Sequence, residues 1–145
     1  MAVDQKFIGR QYGPITYEVG KEKIAEYARA IKNEDPHYLD EDFAASSQYG
    51  GIIAPPTFAV VYAGKLMMPF FFDQELALNF AMLVHGEQEF EFHQVVKAGE
   101  VITTVGEISD IVDKEKLDVI TLTGESRNQD NQLVCTSVFT FVIRK

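Results

Sequence analysis

The sequence predicts an α+β fold in which a long antiparallel sheet wraps around a buried central helix. Two observations support this class: helical patterns and an almost wholly apolar segment occupy the first half, and four long strand-like stretches fill the second. The 145 residues show no repeat or linker, and 46% of them are hydrophobic. We therefore expect one domain, spanning residues 1–145, with a substantial core.

The first elements are a short strand and an amphipathic helix. Residues 14–19 (PITYEV) alternate as in a strand, and Gly20 ends it. Residues 21–31 follow helical spacing, with an apolar face made of Ile24, Tyr27, Ala28 and Ile31. Because Pro36 disfavours a helical conformation at Asp35, we expect this helix to stop before the proline.

A second short helix is predicted over residues 39–46, with Asp40 or Glu41 near its N-terminus, where an acidic cap is favoured. The central helix follows in residues 49–69, YGGIIAPPTFAVVYAGKLMMP. Its portion from Thr57 to Met68 is apolar almost all round, which is typical of a buried helix. Pro55 and Pro56 are compatible with its start, where N–H groups lack intrahelical partners.

Four strands are predicted over residues 81–96, 100–112, 117–128 and 132–144, joined by the turn sequences KAGE, DKEK and RNQDNQ. A long antiparallel sheet curled around one helix is the hot-dog fold. Such a small curled sheet cannot cover its own edge or its ligand cleft, so we expect it to pair with a second copy or a homologue.

Composition excludes several classes of function. A formal net charge of −9 argues against binding of nucleic acid or anionic membranes. The single cysteine, Cys135, rules out an internal disulfide and favours a reducing cytoplasm; in its apolar, alternating run we expect a buried, inert thiol. No apolar run approaches the roughly 20 residues of a membrane span, and the N-terminus lacks the apolar core of a signal peptide.

Three motifs resemble a known family: AEYARAIKNEDPHYLDEDFAA, then GGIIAPPTF, then VHGEQEFEFHQVVKAGE. In this order they resemble the MaoC-like dehydratase N-terminal family, part of the (R)-specific enoyl-thioester hydratase group, from about residue 5 to residue 144. The resemblance implies hydration of enoyl-CoA or dehydration of (R)-3-hydroxyacyl thioesters, carried by CoA or acyl-carrier protein, without a cofactor or metal. It also implies homodimers or heterodimers of homologous hot-dog subunits.

The chain departs from the family's active pattern at two places. Catalytic members carry Asp three residues before the motif proline and His two residues after it, where this chain has Asn33 and Tyr38 around Pro36. Asparagine accepts no proton at neutral pH, and tyrosine, with an ordinary pKa of about 10, is a poor base. Pro55 and Pro56 stand where the family places a backbone N–H against the thioester oxygen, and proline has none. In these losses the chain resembles the non-catalytic subunit of heterodimeric hydroxyacyl-thioester dehydratases.

The resemblance assigns substrate binding to residues of the first two motifs: Asn33, Tyr38, Gly50, Gly51, Ile53, Ala54, Pro55, Pro56 and Thr57. Gly50 and Gly51 would allow a thioester chain to approach closely, or would simply form a turn. An apolar stretch after the helix could line an acyl tunnel or belong to the core: Met67, Met68, Phe70, Phe71 and Phe72.

Other candidate catalytic groups are weighed against structural roles. Asp35 and His37 could form a shifted acid/base pair, but neighbours across a proline usually diverge, so a structural loop is favoured. Tyr38 could donate to a substrate carbonyl, or pack with its polar tip at the surface. Asp40 is expected to cap the next helix rather than take part in chemistry.

In the stretch HGEQ, strand parity places His85 and Glu87 on one face, with Gln88 opposite and His93 on the His85 face. His85 could serve in catalysis, but we favour polar contacts near the cleft or a dimer face. A metal site needs at least three ligands, so none is predicted.

Three functional hypotheses remain open: a dehydratase subunit paired with a catalytic homologue, a homodimer that binds acyl thioesters without turnover, and an active homodimer with a relocated acid/base pair. A hot-dog thioesterase is disfavoured because the central helix, from Thr57 to Met68, contains no acidic residue.

Overall fold

Five strands form one antiparallel sheet in the order β1-β3-β4-β5-β2, in a computed structural model that describes residues 2–145. The strands are β1 (Gln11–Glu18), β2 (Leu83–Phe92), β3 (Val101–Lys114), β4 (Leu117–Arg127) and β5 (Leu133–Arg144). A 3₁₀ turn at Gln5–Phe7 precedes β1. Three helices follow β1: α1 (Lys21–Ala30), α2 (Pro36–Leu39) and α3 (Glu41–Ala45). The predicted α+β hot-dog architecture is confirmed.

Several element boundaries differ from the predictions, and the first strand, predicted over residues 14–19, spans Gln11–Glu18. The strand predicted over residues 81–96 ends at Phe92, and its remaining residues form a loop. Pro36 does not merely end a helix: it begins α2, because the Asp35 carboxylate caps that helix by accepting from the His37 N–H at 2.9 Å. Asp40 caps α3 through the Phe43 N–H at 3.0 Å, as predicted.

The central helix is a run of four short turns, which we call the central segment: Pro56–Phe58, Ala59–Tyr62, Ala63–Leu66 and Met67–Phe71. Its inner face is fully buried at Phe58, Leu66 and Phe70. The prediction that this helix is buried on all sides was wrong, however, because Met68 on the other face is 58% exposed in this chain.

Two glycines of the sheet allow the central segment to pack closely against it. Gly106 in β3 lies directly opposite Gly124 in β4, and both face Leu66. A Cβ added at Gly106 or Gly124 would lie 2.6 Å or 2.8 Å from Leu66 Cδ1, far inside van der Waals contact. The absence of two side chains therefore sets how closely the segment approaches the sheet.

The far end of the central segment is fixed by polar contacts. Asp73, whose side chain is almost fully buried, forms a salt bridge with Arg10, from whose Nη2 it accepts at 3.1 Å, and accepts from the Tyr12 hydroxyl at 2.7 Å. Burial alone would raise the pKa of Asp73, but these donors outweigh it and hold the pKa below its ordinary value. The segment is thus tied to β1 at one end and packed on the glycines in its middle.

Across residues 2–145, no helix has the length and apolar character required to cross a bilayer. Of the helices within these residues, only α1 is as long as ten residues, and its buried residues Ile24 and Ala28 lie on one face.

We predict that Gly124→Ala lowers the free energy of unfolding by about 1–3 kcal/mol, since the new methyl group meets Leu66 and Ser137 Oγ, both at 2.8 Å. Urea unfolding followed by circular dichroism measures this change. Gly51→Ala is the matched control, because nothing lies within 4 Å of a Cβ there and its backbone is not left-handed. Equal effects of the two substitutions would contradict the packing role of Gly124.

Candidate functional site

A cavity of about 370 Å³ lies where the start of the central segment meets the loop after β2. Its walls come from α2, from the extended residues before the central segment, and from residues 92–96. They are mainly apolar and aromatic, as in small-molecule sites. The lining residues are Tyr38, Tyr49, Ile53, Ala54, Pro55, Pro56, Tyr62, Phe92, His93, Gln94, Val95 and Val96.

Backbone hydrogen bonds hold the extended wall in place. The Ile53 N–H donates to the His37 carbonyl at 3.2 Å, and the Ala54 N–H donates to the Val96 carbonyl at 2.8 Å. Both amides are therefore already engaged, and the next two residues, Pro55 and Pro56, have no N–H to offer. The wall from residue 53 to residue 56 thus presents no free backbone donor to a ligand.

Tyr38 borders the cavity, and Asn33 lies beside it. Burial, and then the charge of Asp35, raise the pKa of the Tyr38 hydroxyl, while the nearby Asn33 side chain opposes the rise. Tyr38 therefore stays protonated at neutral pH. Neither of the two residues that replace the family's Asp and His, Asn33 and Tyr38, can accept a proton at neutral pH.

Asp35 and His37 do form a contact, contrary to the predicted divergence. Because Asp35 caps α2, its carboxylate folds back over the helix and reaches His37 Nδ1 at 2.7 Å. Hydrogen bonds from the His37 backbone and then its ring hold the pKa of Asp35 below its ordinary value. The pair does not line the cavity; the His37 ring packs edge-on against Tyr49, with ring centroids 5.8 Å apart.

Four predicted substrate-binding residues lie outside the cavity lining: Asn33, Gly50, Gly51 and Thr57. Gly50 has a left-handed backbone, with φ of 70°, and donates its N–H to Ser47 in a turn. Thr57 accepts from the Tyr27 hydroxyl at 2.9 Å, which ties α1 to the central segment. The other five predicted residues of this set do line the cavity: Tyr38, Ile53, Ala54, Pro55 and Pro56.

A β-bulge at Gly86 overturns the predicted facing of the HGEQ stretch. The register of β2 against β5 shifts there, so His85 pairs with Phe141, Glu87 with Thr140 and Gln88 with Phe139. His85 and Gln88 therefore share the concave face, and Glu87 lies on the convex face. The His85 ring packs against Phe141, with ring centroids 4.9 Å apart.

His93 lies apart from His85 for the same reason. Its Nε2 is 3.1 Å from the Thr136 hydroxyl, and Thr136 pairs with Glu91 on the convex face. His93 also borders the cavity, where it is the one imidazole of the lining. The described residues, 2–145, contain no group of three or more side chains placed to hold a metal ion.

Of the two alternatives for the apolar stretch after the helix, acyl tunnel or core, the single chain places three residues in the core. Phe70 is fully buried and stacks on Phe141, with ring centroids 5.1 Å apart, while Met67 and Phe71 pack against the same core. Met68 and Phe72 are exposed. None of these residues borders the cavity, so the alternative assignment to the core is correct for Met67, Phe70 and Phe71.

Sequence reasoning missed Tyr62, which closes the inner end of the cavity. It lies on the buried face of the central segment, 3% exposed, with its hydroxyl beside the Cys135 thiol. Its spacing of four residues from Phe58 marked it as buried, but not as bordering a cavity. Burial raises the pKa of the Cys135 thiol to about 11, so the thiol stays protonated at neutral pH.

The curled five-stranded sheet, the central segment and the cavity at its start define a hot-dog protein. The sequence profile described as "FAS1-like, dehydratase domain region" matches residues 6–137, and the chain belongs to this family. The resemblance to dehydratases noted in its motifs is thereby confirmed. A UPF0336 protein of Saccharopolyspora erythraea is 41% identical over 99% of this chain and 93% of its own length.

Two solved structures show the same architecture. The C-terminally truncated HadBC complex of Mycobacterium tuberculosis, a 3R-hydroxyacyl-ACP dehydratase, has a chain that matches with a TM-score of 0.82 and 26% identity, over 98% of this chain and 99% of that one. A MaoC-like dehydratase matches with a TM-score of 0.83 and 29% identity, over 94% of this chain but 42% of the longer one.

We predict that Cys135 does not react with Ellman's reagent at pH 8 in the folded protein and reacts fully once the chain is unfolded in guanidinium. The raised pKa removes the thiolate, and burial removes access. Absorbance at 412 nm follows the reaction. Complete labelling of the native protein within minutes would contradict this prediction, because it would require that Cys135 is accessible to the reagent or that its thiol is ionised.

Proposed function

We propose that the chain is a cytoplasmic subunit of an (R)-specific enoyl-CoA hydratase or 3-hydroxyacyl-thioester dehydratase. It holds the acyl thioester and pairs with a homologous hot-dog subunit that supplies the acid/base dyad. One observation carries the proposal: the cavity is bordered by Tyr38, Pro55 and Pro56, at the positions where the family places its chemistry, and none of these groups takes up a proton or offers a backbone donor.

The lining suits the acyl end of a thioester. Ile53, Ala54 and Val96 supply apolar surface, and the hydroxyls of Tyr38 and Tyr62 are neutral donors able to orient a carbonyl. No carboxylate borders the cavity in the described part of the chain, and His93 is the one ionisable base among its lining residues.

Exposed apolar side chains in the cavity wall support pairing with a second chain. Phe92 and Val95 border the cavity yet remain 47% and 40% exposed in the single chain. A second hot-dog chain placed beside β2 would cover both side chains and complete the wall. The likeness to a chain of the HadBC complex supports the same arrangement, with CoA or acyl-carrier protein as the thiol half of the ligand.

The test is hydration of crotonyl-CoA, measured by loss of absorbance of the conjugated thioester. We expect the purified chain alone to show no hydration above the uncatalysed rate. Co-purified with a homologous chain that carries Asp three residues before and His two residues after the motif proline, it should show full activity. Equal activity of the homologue with and without this chain would contradict a subunit role.

A matched pair of substitutions controls for stability in that assay. Ala54→Leu adds methylenes inside the cavity and should lower kcat/KM of the paired complex about tenfold or more. Ala45→Leu makes the same change on the exposed face of α3 and should leave kcat/KM unchanged. An equal effect of both would show that the cavity does not hold the substrate.

The contact between Asp35 and His37, 2.7 Å long, favours one alternative: an active homodimer that uses a relocated acid/base pair. Under our proposal, His37→Ala and Asp35→Asn leave the activity of the paired complex within about twofold, because the pair lies behind Tyr49 and outside the cavity. If the chain alone hydrates crotonyl-CoA and both substitutions abolish the reaction, the alternative holds and our proposal fails.

A further inference from the structure

The sheet has two free edges, and they differ. The β1 edge is broken by a bulge between Tyr12 and Ile15 that contains Pro14, which donates no hydrogen bond. The β2 edge is regular from Glu87 to Phe92, with continuous register against β5. β2 is therefore the edge able to accept another strand.

Exposed apolar side chains flank this edge at both ends. Val84 is 56% exposed near the start of β2, and Met82 and Phe80 continue the surface beside it. Phe92 and Val95 continue it beyond the other end, where they border the cavity. Apolar surface at both ends of an unpaired strand is the pattern of a strand that pairs with another chain.

Between these ends, the convex face of β2 carries only glutamates. Glu87, Glu89 and Glu91 alternate along the strand, and their partners in β5 are the uncharged Thr140, Val138 and Thr136. All three glutamates are exposed, and none forms a salt bridge with a residue in the range 2–145.

This row of three glutamates would favour some partner strands over others. In an antiparallel pairing of two copies along residues 87–91, every convex-face position is a glutamate in both strands. Glutamates then lie opposite or diagonal to glutamates, an arrangement that destabilises a sheet. A strand with lysine or arginine at the facing positions would replace each repulsion by an attraction.

We propose that the β2 edge disfavours a second copy of this chain and selects a homologous hot-dog chain whose edge strand carries basic residues opposite Glu87, Glu89 and Glu91. The inference rests on the pairing in the proposed function and adds the chemistry that chooses the partner. The apolar ends supply the attraction, and the glutamate row supplies the specificity.

The chain itself provides the test partner. In the triple variant Glu87→Lys, Glu89→Lys and Glu91→Lys, the charge of the row is reversed on exposed positions. Native mass spectrometry of an equimolar mixture with the wild-type chain at low salt should show mixed dimers well above the statistical half of all dimers. Circular dichroism establishes that the variant is folded, and added salt should reduce the excess.

A neutral variant keeps the test independent of the lysines. Glu87→Gln, Glu89→Gln and Glu91→Gln together should tighten self-association about tenfold in analytical ultracentrifugation, because three facing repulsions are removed. The control removes three exposed charges away from β2, with Glu107→Gln, Asp110→Asn and Glu115→Gln, and should leave self-association unchanged.

Two results would overturn the inference: mixed dimers at or below the statistical proportion, or equal tightening by the neutral variant and its control. Absence of any dimer in every mixture has the same consequence. Because these experiments contain no thioester and measure no turnover, their failure leaves the hydration assay to judge the proposed function separately. A positive result equally gives no support to thioester binding.

Discussion

The close approach of the central segment to the sheet is the constraint on which the rest of the structure depends. Gly106 and Gly124 face each other across β3 and β4, and Leu66 occupies the space that two side chains would otherwise fill. With Asp73 fixing the far end through Arg10 and Tyr12, the segment has one position relative to the sheet. That position sets where Tyr62 lies, and so sets the inner end of the cavity.

Under the proposed function, the site holds an acyl thioester, while the positions of the family's acid/base dyad carry no group that moves protons. Tyr38 borders the cavity and Asn33 lies outside its lining; of these two replacements for the family's acid/base residues, one is an amide and burial keeps the other protonated. The backbone also offers no free donor to a ligand, since the Ile53 and Ala54 amides are hydrogen-bonded and the two prolines that follow have no N–H. Under the proposed function, binding and chemistry are separated, and a paired subunit supplies the missing groups.

The sequence predicted the elements with regular patterns and failed where one residue altered a local rule. The four strands of the second half were recognised because each is a long strand-like stretch of ten or more residues, and the central segment because it is apolar. Gly86 changed the facing of everything before it, so His85 and Glu87 were placed on one side in error. A bulge of one glycine leaves no periodic signal strong enough to be read from a single sequence.

The candidate site was predicted in part for similar reasons. Tyr38 and the residues from Ile53 to Pro56 came from motif resemblance, and the cavity lies against them. Tyr62 and Tyr49 could not be found, because their place depends on how separate elements meet in space. The Asp35–His37 contact depends on a helix cap, and such a cap turns a side chain back onto its own helix instead of away from it.

The most direct test of the separation between binding and chemistry is a crystal structure of the paired complex with a stable acyl-thioester analogue. The measured quantities are the distances from C2 and C3 of the acyl group to the nearest carboxylate or imidazole of each chain. We predict that only the partner subunit's groups lie within hydrogen-bond reach, about 2.6–3.2 Å directly or through one water. Asp35, His37 or His93 of this chain at that distance would contradict it.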